Sequence, residues 1–310
     1  MNDTSEATGT TKHPDCDGAC SASRICVGIA TRGRPQHVRS VIDHLRGQTL
    51  QPDAIIVSGV NRDDIGDLAE SDRVLIVLGQ PGLARQRNAV LDSLPTATDF
   101  IAFFDDDFYP HRRWLQAVVD AFHDDPQIAC ITGNVVADGI LGPGLTYEDA
   151  IGLIDDASPE SETWVIDGYS PYGCNMAFRR SQIEGLRFDE RLVMYGWLED
   201  RDFGARVGQT RGRMIKLGQA MGVHLGVKSG RTSGRRLGYS QVMNPHYMRR
   251  KQTMTTREAA LQVLRNLSAN AAKSLWPEPY IDRRGRLTGN VIALGDILAG
   301  RCNPERAERL

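Results

Sequence analysis

Phe-Ile-Ala-Phe-Phe-Asp-Asp-Asp-Phe-Tyr, residues 100–109, is an apolar run that stops abruptly at three consecutive carboxylates. The apolar part has the length and aromatic content of a strand buried on both faces. Asp105, Asp106 and Asp107 then fall at the strand's carboxyl end, where open α/β sheets place their ligands. Carboxylates about 5 Å apart repel by roughly 3 kcal/mol per pair at an effective dielectric near 20. A divalent cation removes that repulsion, and oxygen ligands suit Mg²⁺ or Mn²⁺. A solvated acidic turn has the same sequence, so the cluster alone leaves both readings open.

On either side of this stretch, apolar runs at 24–30, 54–58 and 74–78 read as buried strands. Between them come helical patterns: Val38, Val41, Ile42 and Leu45 at helical spacing, and a segment from Gly82 to about Leu94. After the acidic strand, Trp114, Leu115, Val118, Val119 and Phe122 mark an amphipathic helix over about 112–122. Strands alternating with helices predict an α/β protein with a parallel sheet and helices on both faces. Beyond 128–136 the pattern breaks. Residues 138–162 read as an irregular insertion, 164–167 and 173–178 as short strands, and 197–207 as a helix that begins with Glu199 and Asp200. Residues 228–238 hold Lys228, Arg231, Arg235 and Arg236 among Gly and Ser, the composition of a mobile basic loop. Residues 239–276 are mostly helical, 283–286 form a basic turn, and 290–298 form a short helix. The expected organisation is a disordered tail (1–23), a catalytic domain (24–238) and a helical C-terminal extension (239–310).

The 310-residue chain is 41% hydrophobic and 25% charged, a globular composition. A net charge of −2 gives no polyelectrolyte signature and argues against nucleic acid as a partner. No apolar run approaches a bilayer span and no signal-peptide segment opens the chain, so the expected location is cytoplasmic. Cys26, Cys130 and Cys174 read as core residues; Cys16 and Cys20 lack further ligands at zinc spacing and read as incidental.

Several segments between about 25 and 238 together resemble the family 2 glycosyltransferases, which have the GT-A fold. Thr-Arg-Gly-Arg-Pro at 31–35 looks like that family's nucleotide-contacting turn. Gly-Leu-Ala-Arg-Gln-Arg-Asn at 82–88 resembles its Gly-x-x-x-x-Arg-Asn segment, which lies against nucleotide and diphosphate. Asp105 and Asp107 match its metal-binding Asp-x-Asp, Gly-Cys-Asn-Met-Ala-Phe-Arg at 173–179 resembles its acceptor-side strand, and Glu199-Asp200 its base-supplying Glu-Asp pair. Each motif is weak alone; five in family order are specific. The segment Ser-Gly-Val-Asn-Arg-Asp at 58–63 departs from the family's Asp-Asp-Gly-Ser, leaving Asn61 or Asp63 to meet the nucleotide base.

The resemblance implies a GT-A-like doubly wound, mostly parallel sheet and an inverting, metal-dependent transfer of a sugar from a nucleoside-diphosphate sugar to a saccharide acceptor, free or lipid-linked. It implies cell-surface or exopolysaccharide synthesis as the setting. Asp107, and Asp105 directly or through water, would hold Mg²⁺ or Mn²⁺, with His224 either completing the shell or serving as a hydrogen-bonded structural residue. Asp106 would point away from Asp105 and Asp107, because side chains alternate along an extended segment. Thr31, Arg32, Arg34, Asn61, Arg85, Asn88, Asp105, Asp106 and Arg231 form the expected donor set, with Arg87 a further phosphate candidate. Asp200 is the expected base, Glu199 the second choice, and Trp197 and Asn175 lie on the acceptor side. Without the resemblance, Glu199 and Asp200 simply complement a helix N-terminus. Leu264, Leu267, Ala271 and Leu275, flanked by basic clusters, form a stripe that either packs on the catalytic domain or lies in a membrane interface. The rival classes are a sugar-phosphate nucleotidyltransferase, disfavoured by the short turn at 31–35, and a non-catalytic nucleotide- or carbohydrate-binding protein.

Overall fold

The computed structural model describes residues 23–209, 212–228 and 233–310. Cys16, Cys20, Arg231 and all but the last residue of the expected tail lie outside the described residues, as does the middle of the basic loop.

The first half of the chain alternates strand and helix: β1 (Ile25–Ala30), α1 (Pro35–Leu45), β2 (Ala54–Gly59), the short α2 (Arg62–Ile65), β3 (Val74–Leu78), α3 (Leu83–Asp92) and β4 (Phe100–Asp105). These strands are parallel in the order β3-β2-β1-β4. Next come β5 (Phe108–Pro110), α4 (Trp114–Asp124), β6 (Ile128–Asp138), α5 (Tyr147–Asp155), β7 (Val165–Asp167), β8 (Asn175–Arg179), α6 (Arg180–Ile183), α7 (Glu199–Gly208) and β9 (Arg213–His224). They continue the sheet as β8-β6-β9-β5, with β7 also on β9. Parallel pairing in this half is confined, among the described residues, to β6 with β9, because β8 enters antiparallel between β4 and β6.

The alternation along β1 and β4 makes two cores. Ile25, Val27, Ile29, Phe100, Ala102 and Phe104 pack under α1 and α4. Cys26, Ile101 and Phe103 pack on the other face with residues of α3 and α7. Burial on both faces fixes the register, since a one-residue slip would exchange the cores. In that register Ala30 of β1 lies beside Asp105, so the turn after β1 meets the acidic end of β4.

The C-terminal part is α8 (Gly234–Lys251), α9 (Thr256–Lys273) and α10 (Arg283–Leu298). Three sequence expectations change here. The boundary at 238/239 falls inside α8, which begins at Gly234 where the Ser233 side chain caps it. Residues 283–286 are the first turn of α10, capped by Asp282 accepting from Gly285 N–H, and the helix is longer than the segment 290–298. The insertion 138–162 contains α5, opened by a Thr146–Asp149 capping box that satisfies the first free N–H groups. No helix of the described residues is long and apolar enough to cross a membrane.

Candidate active site

Strand pairing gathers the chemistry. Phe108 of β5 sits opposite His224 of β9, and Asp138 of β6 is also in register with His224. His224 Nε2 lies 3.3 Å from Asp107 Oδ1, and Nδ1 lies 2.9 Å from Asp138 Oδ1. A carboxylate on one ring nitrogen orients the other. Ligand atoms of Asp105, Asp107 and His224 all fall within 4.8 Å of one another. Two carboxylates and an oriented imidazole are a donor set that fits a divalent ion such as Mn²⁺.

Asp106 points elsewhere, and it does so from the turn between β4 and β5 rather than by strand alternation. It accepts from Thr31 Oγ1 at 2.7 Å and from Arg34 Nη1 at 2.8 Å. Burial pushes it up to about 7, against the pull of Arg34 and with the push of Asp107. Burial opposes ionisation of Asp107 too, but the His224 hydrogen bond and charge, with Arg34, bring it down to about 2. Burial alone would lower His224; its bonds to Asp107 and Asp138 instead raise it to about 10. The proton those carboxylates hold on the imidazole is the one a metal ion would replace.

The second acidic pair opens α7. Just before it, Met194, Gly196 and Leu198 have φ of 62°, 62° and 71°, a left-handed cluster that non-glycine residues rarely adopt. Glu199 is buried and paired with Arg87. Asp200 is half-buried, and its Oδ2 accepts from Gly173 N–H at 2.9 Å. A Cβ at Gly173 would stand 3.1 Å from the Arg87 guanidinium and 3.3 Å from Asp200 Oδ2, so a larger residue would push on both side chains. Burial pushes Asp200 above the ordinary carboxylate range, and Glu199 likewise, Arg87 opposing in both cases.

A cavity of about 560 Å³ opens over the strand ends. Thr31, Arg32, Arg34, Asp105, Asp106, Asp107 and His224 line one side; Met194, Tyr195 and Trp197 contribute from the strained turn, and Gln262, Arg265 and Lys273 from α9. Asp200 stands off this lining, across Gly173 from Arg87. Thr31 reaches the cavity with its hydroxyl already committed to Asp106, whereas Arg32 is exposed there.

Several sequence-nominated residues have other partners. The Asn61 side chain caps α2, accepting from Asp64 N–H, and Asp63 is exposed away from the lining. Arg85 faces Glu190 and Glu308. The Asn88 amide bridges the backbone of Phe188, donating to its carbonyl and accepting from its N–H. Asn175 on β8 is fully buried. Sequence reasoning missed Gln86, which donates to the carbonyls of Thr31 and Ser58 and so holds the turn after β1. It also missed Asp64, which accepts from Gly33 N–H at 2.6 Å, and Tyr195, half-exposed at the cavity. Helix position was the available signal for Gln86, one step from Arg87.

A family model for glycosyl transferase family 2 matches residues 26–184. The pre-mycofactocin glycosyltransferase of Mycobacterium tuberculosis, in strains CDC 1551 and H37Rv, is 30% identical over 129 residues, 41% of this chain. The match covers 27% of those curated relatives, about a quarter of their length. Among solved structures, S. aureus TarS 1–349 aligns over 93% of this chain and 83% of its own, with TM-score 0.53 and 13% identity. The mannosyltransferase PcManGT from Pyrobaculum calidifontis, in complex with GDP-Man and Mn²⁺, aligns over 89% of this chain and 86% of its own, with TM-score 0.51 and 14% identity. At such identities the likeness is one of fold.

Proposed function

This chain belongs to glycosyl transferase family 2, and from that premise we propose that it transfers a sugar, with inversion, from a nucleoside-diphosphate sugar to a hydroxyl of a saccharide acceptor. The observation that carries the reading is the convergence of Asp105, Asp107 and His224 on one cavity wall, with Asp200 linked to Asp105 through Gly173 and Arg87. Asp105, Asp107 and His224 would hold a divalent cation, Mg²⁺ or Mn²⁺. Bound there, the ion supplies positive charge against the leaving diphosphate. The Mn²⁺ and GDP-Man of the Pyrobaculum mannosyltransferase support a nucleotide-sugar donor and a metal by analogy.

The remaining work falls to the chain's own side chains. Arg32, exposed on the lining, meets phosphate oxygens, while Arg34 holds Asp106 and steadies the turn. Asp200 takes the proton of the attacking hydroxyl. It is preferred to Glu199, whose carboxylate is enclosed by the ion pair with Arg87. Trp197 and Tyr195 offer the acceptor aromatic faces at the cavity rim. On α9 and beyond it, Leu261, Leu264, Leu275 and Trp276 are exposed, which supports an acceptor carried on a lipid at a membrane surface.

The test is a panel of nucleotide sugars incubated with the protein, Mn²⁺ and a saccharide acceptor. Nucleoside diphosphate release that depends on acceptor, with one donor preferred, is expected. Donor binding without release for every donor would overturn the reading in favour of a non-catalytic binder.

A further inference from the structure

Arg87 sits where the resemblance expects a phosphate contact, yet its guanidinium has almost no surface. Its side chain is 2% exposed and it is absent from the cavity lining. Nη1 pairs with Glu199 at the start of α7. Nη2 donates to Asp105 Oδ1 at 3.2 Å and to the Gly173 carbonyl at 2.8 Å. The rings of Phe103 and Phe188 lie 5.8 and 5.6 Å from the guanidinium carbon. One planar cation thus touches the metal-side strand β4, the approach to β8 and the helix that carries the base. Gly173 closes the circuit, because its N–H holds Asp200 while Cys174 O accepts from Asp105 N–H at 3.2 Å.

We propose that Arg87 is a positioning residue that sets Asp200 relative to Asp105 through Glu199 and Gly173, and that it does not touch the donor. This rests on the reading of Asp200 as base. A buried ion pair is weak evidence for stability, since desolvation offsets much of its attraction. Among the described residues, buried Glu199 Oε2 has no hydrogen-bond partner, so the pair is not built for full satisfaction. The geometry makes sense as a fork. Its planar donors reach separate acceptors at fixed angles, which a lysine cannot reproduce.

The test compares Arg87→Lys, which keeps the charge and loses the fork, with Arg87→Met/Glu199→Met, which removes the whole pair and guards against misfolding from an orphaned carboxylate. In Arg87→Lys, amide hydrogen exchange at 173–176 and 194–200 should quicken roughly tenfold while the rest of the chain is unchanged. Turnover should fall about tenfold or more with donor KM within roughly threefold, and the loss should not add to that of Asp200→Asn. The double methionine variant should fold with a melting point near wild type and stay equally slow. Unchanged exchange at those segments would overturn the bridge, whether or not transfer is observed. A loss expressed wholly in donor KM, a loss additive with Asp200→Asn, or full turnover in the double variant would overturn it too. Wild-type Asp200→Asn turnover would instead remove the base assignment, leaving the exchange result to judge the bridge.

Discussion

At the end of β4, three neighbouring carboxylates fan out: Asp105 to Arg87, Asp106 to Thr31 and Arg34, Asp107 to His224 and the Val227 N–H, with Arg34 shared between the last two. At the start of α7, two neighbouring carboxylates are divided by depth: Glu199 goes inward to the same Arg87 and Asp200 stays half-buried against Gly173. In sequence both are adjacent acids at the edge of an element. The backbone makes the difference. Asp105 ends the strand and Asp106 and Asp107 form the tight turn into β5, which sends Asp106 to Thr31 and Arg34 and Asp107 to His224, whereas helical residues turn about 100° apart and differ in exposure. Identical side chains therefore acquire different jobs from the dihedrals beneath them.

The largest expected effect breaks the fan at β4. Asp107→Ala should abolish transfer, since it removes one of the oxygens that would hold the ion and the carboxylate that faces His224 Nε2. Asp105→Ala should nearly do so. Asp106→Asn should keep turnover within about tenfold of wild type, because its carboxylate serves the turn after β1 and not the ion. Initial rates at saturating donor compare them. Equal losses for Asp106→Asn and Asp107→Ala would erase the distinction.

Next comes the pair at α7. Asp200→Asn should lower turnover by about a hundredfold with donor binding retained, as for loss of a general base. The base must be ionised, and burial raises Asp200 above the ordinary aspartate value of 3.8. Turnover should therefore fall as pH drops through that raised value, with the acid limb above 3.8. A pH–rate profile reads this, and the limb should vanish from the residual activity of Asp200→Asn. Glu199→Gln should hurt stability more than Asp200→Asn does, because it breaks a buried pair.

The smallest effect concerns α9 and the residues just after it. Leu264→Glu with Leu275→Glu should weaken co-sedimentation with anionic vesicles while leaving transfer to a free saccharide within about twofold, as expected of surface positions. Wild-type protein that stays in the supernatant at low salt would remove the membrane reading.

Much of this contrast was legible in the sequence. The β4 run, the Asp-x-Asp spacing and the order of five motifs pointed to the sheet and the family. Helix α3 shows where legibility stops. Arg85, Gln86, Arg87 and Asn88 are consecutive, yet they face Glu190, the Thr31 carbonyl, Glu199 and Phe188 respectively. Residue type gives charge and hydrogen-bonding capacity; the partner depends on helix rotation set by packing of Ala84 and Val90 in the core. Burial is hidden for the same reason at Asn175, which strand register turns inward. Helix α5 was passed over because a Gly- and acid-rich surround hid the Thr146–Asp149 box.

The most direct test of metal-assisted transfer at Asp105, Asp107 and His224 is the rate of sugar transfer by metal-stripped protein as Mn²⁺ is titrated back, run beside electron paramagnetic resonance of the bound ion. The account predicts no transfer without metal, recovery that tracks occupancy of one site, and loss of both signal and rate in Asp107→Ala. Full turnover in excess chelator, or undiminished Mn²⁺ binding in Asp107→Ala, would contradict it.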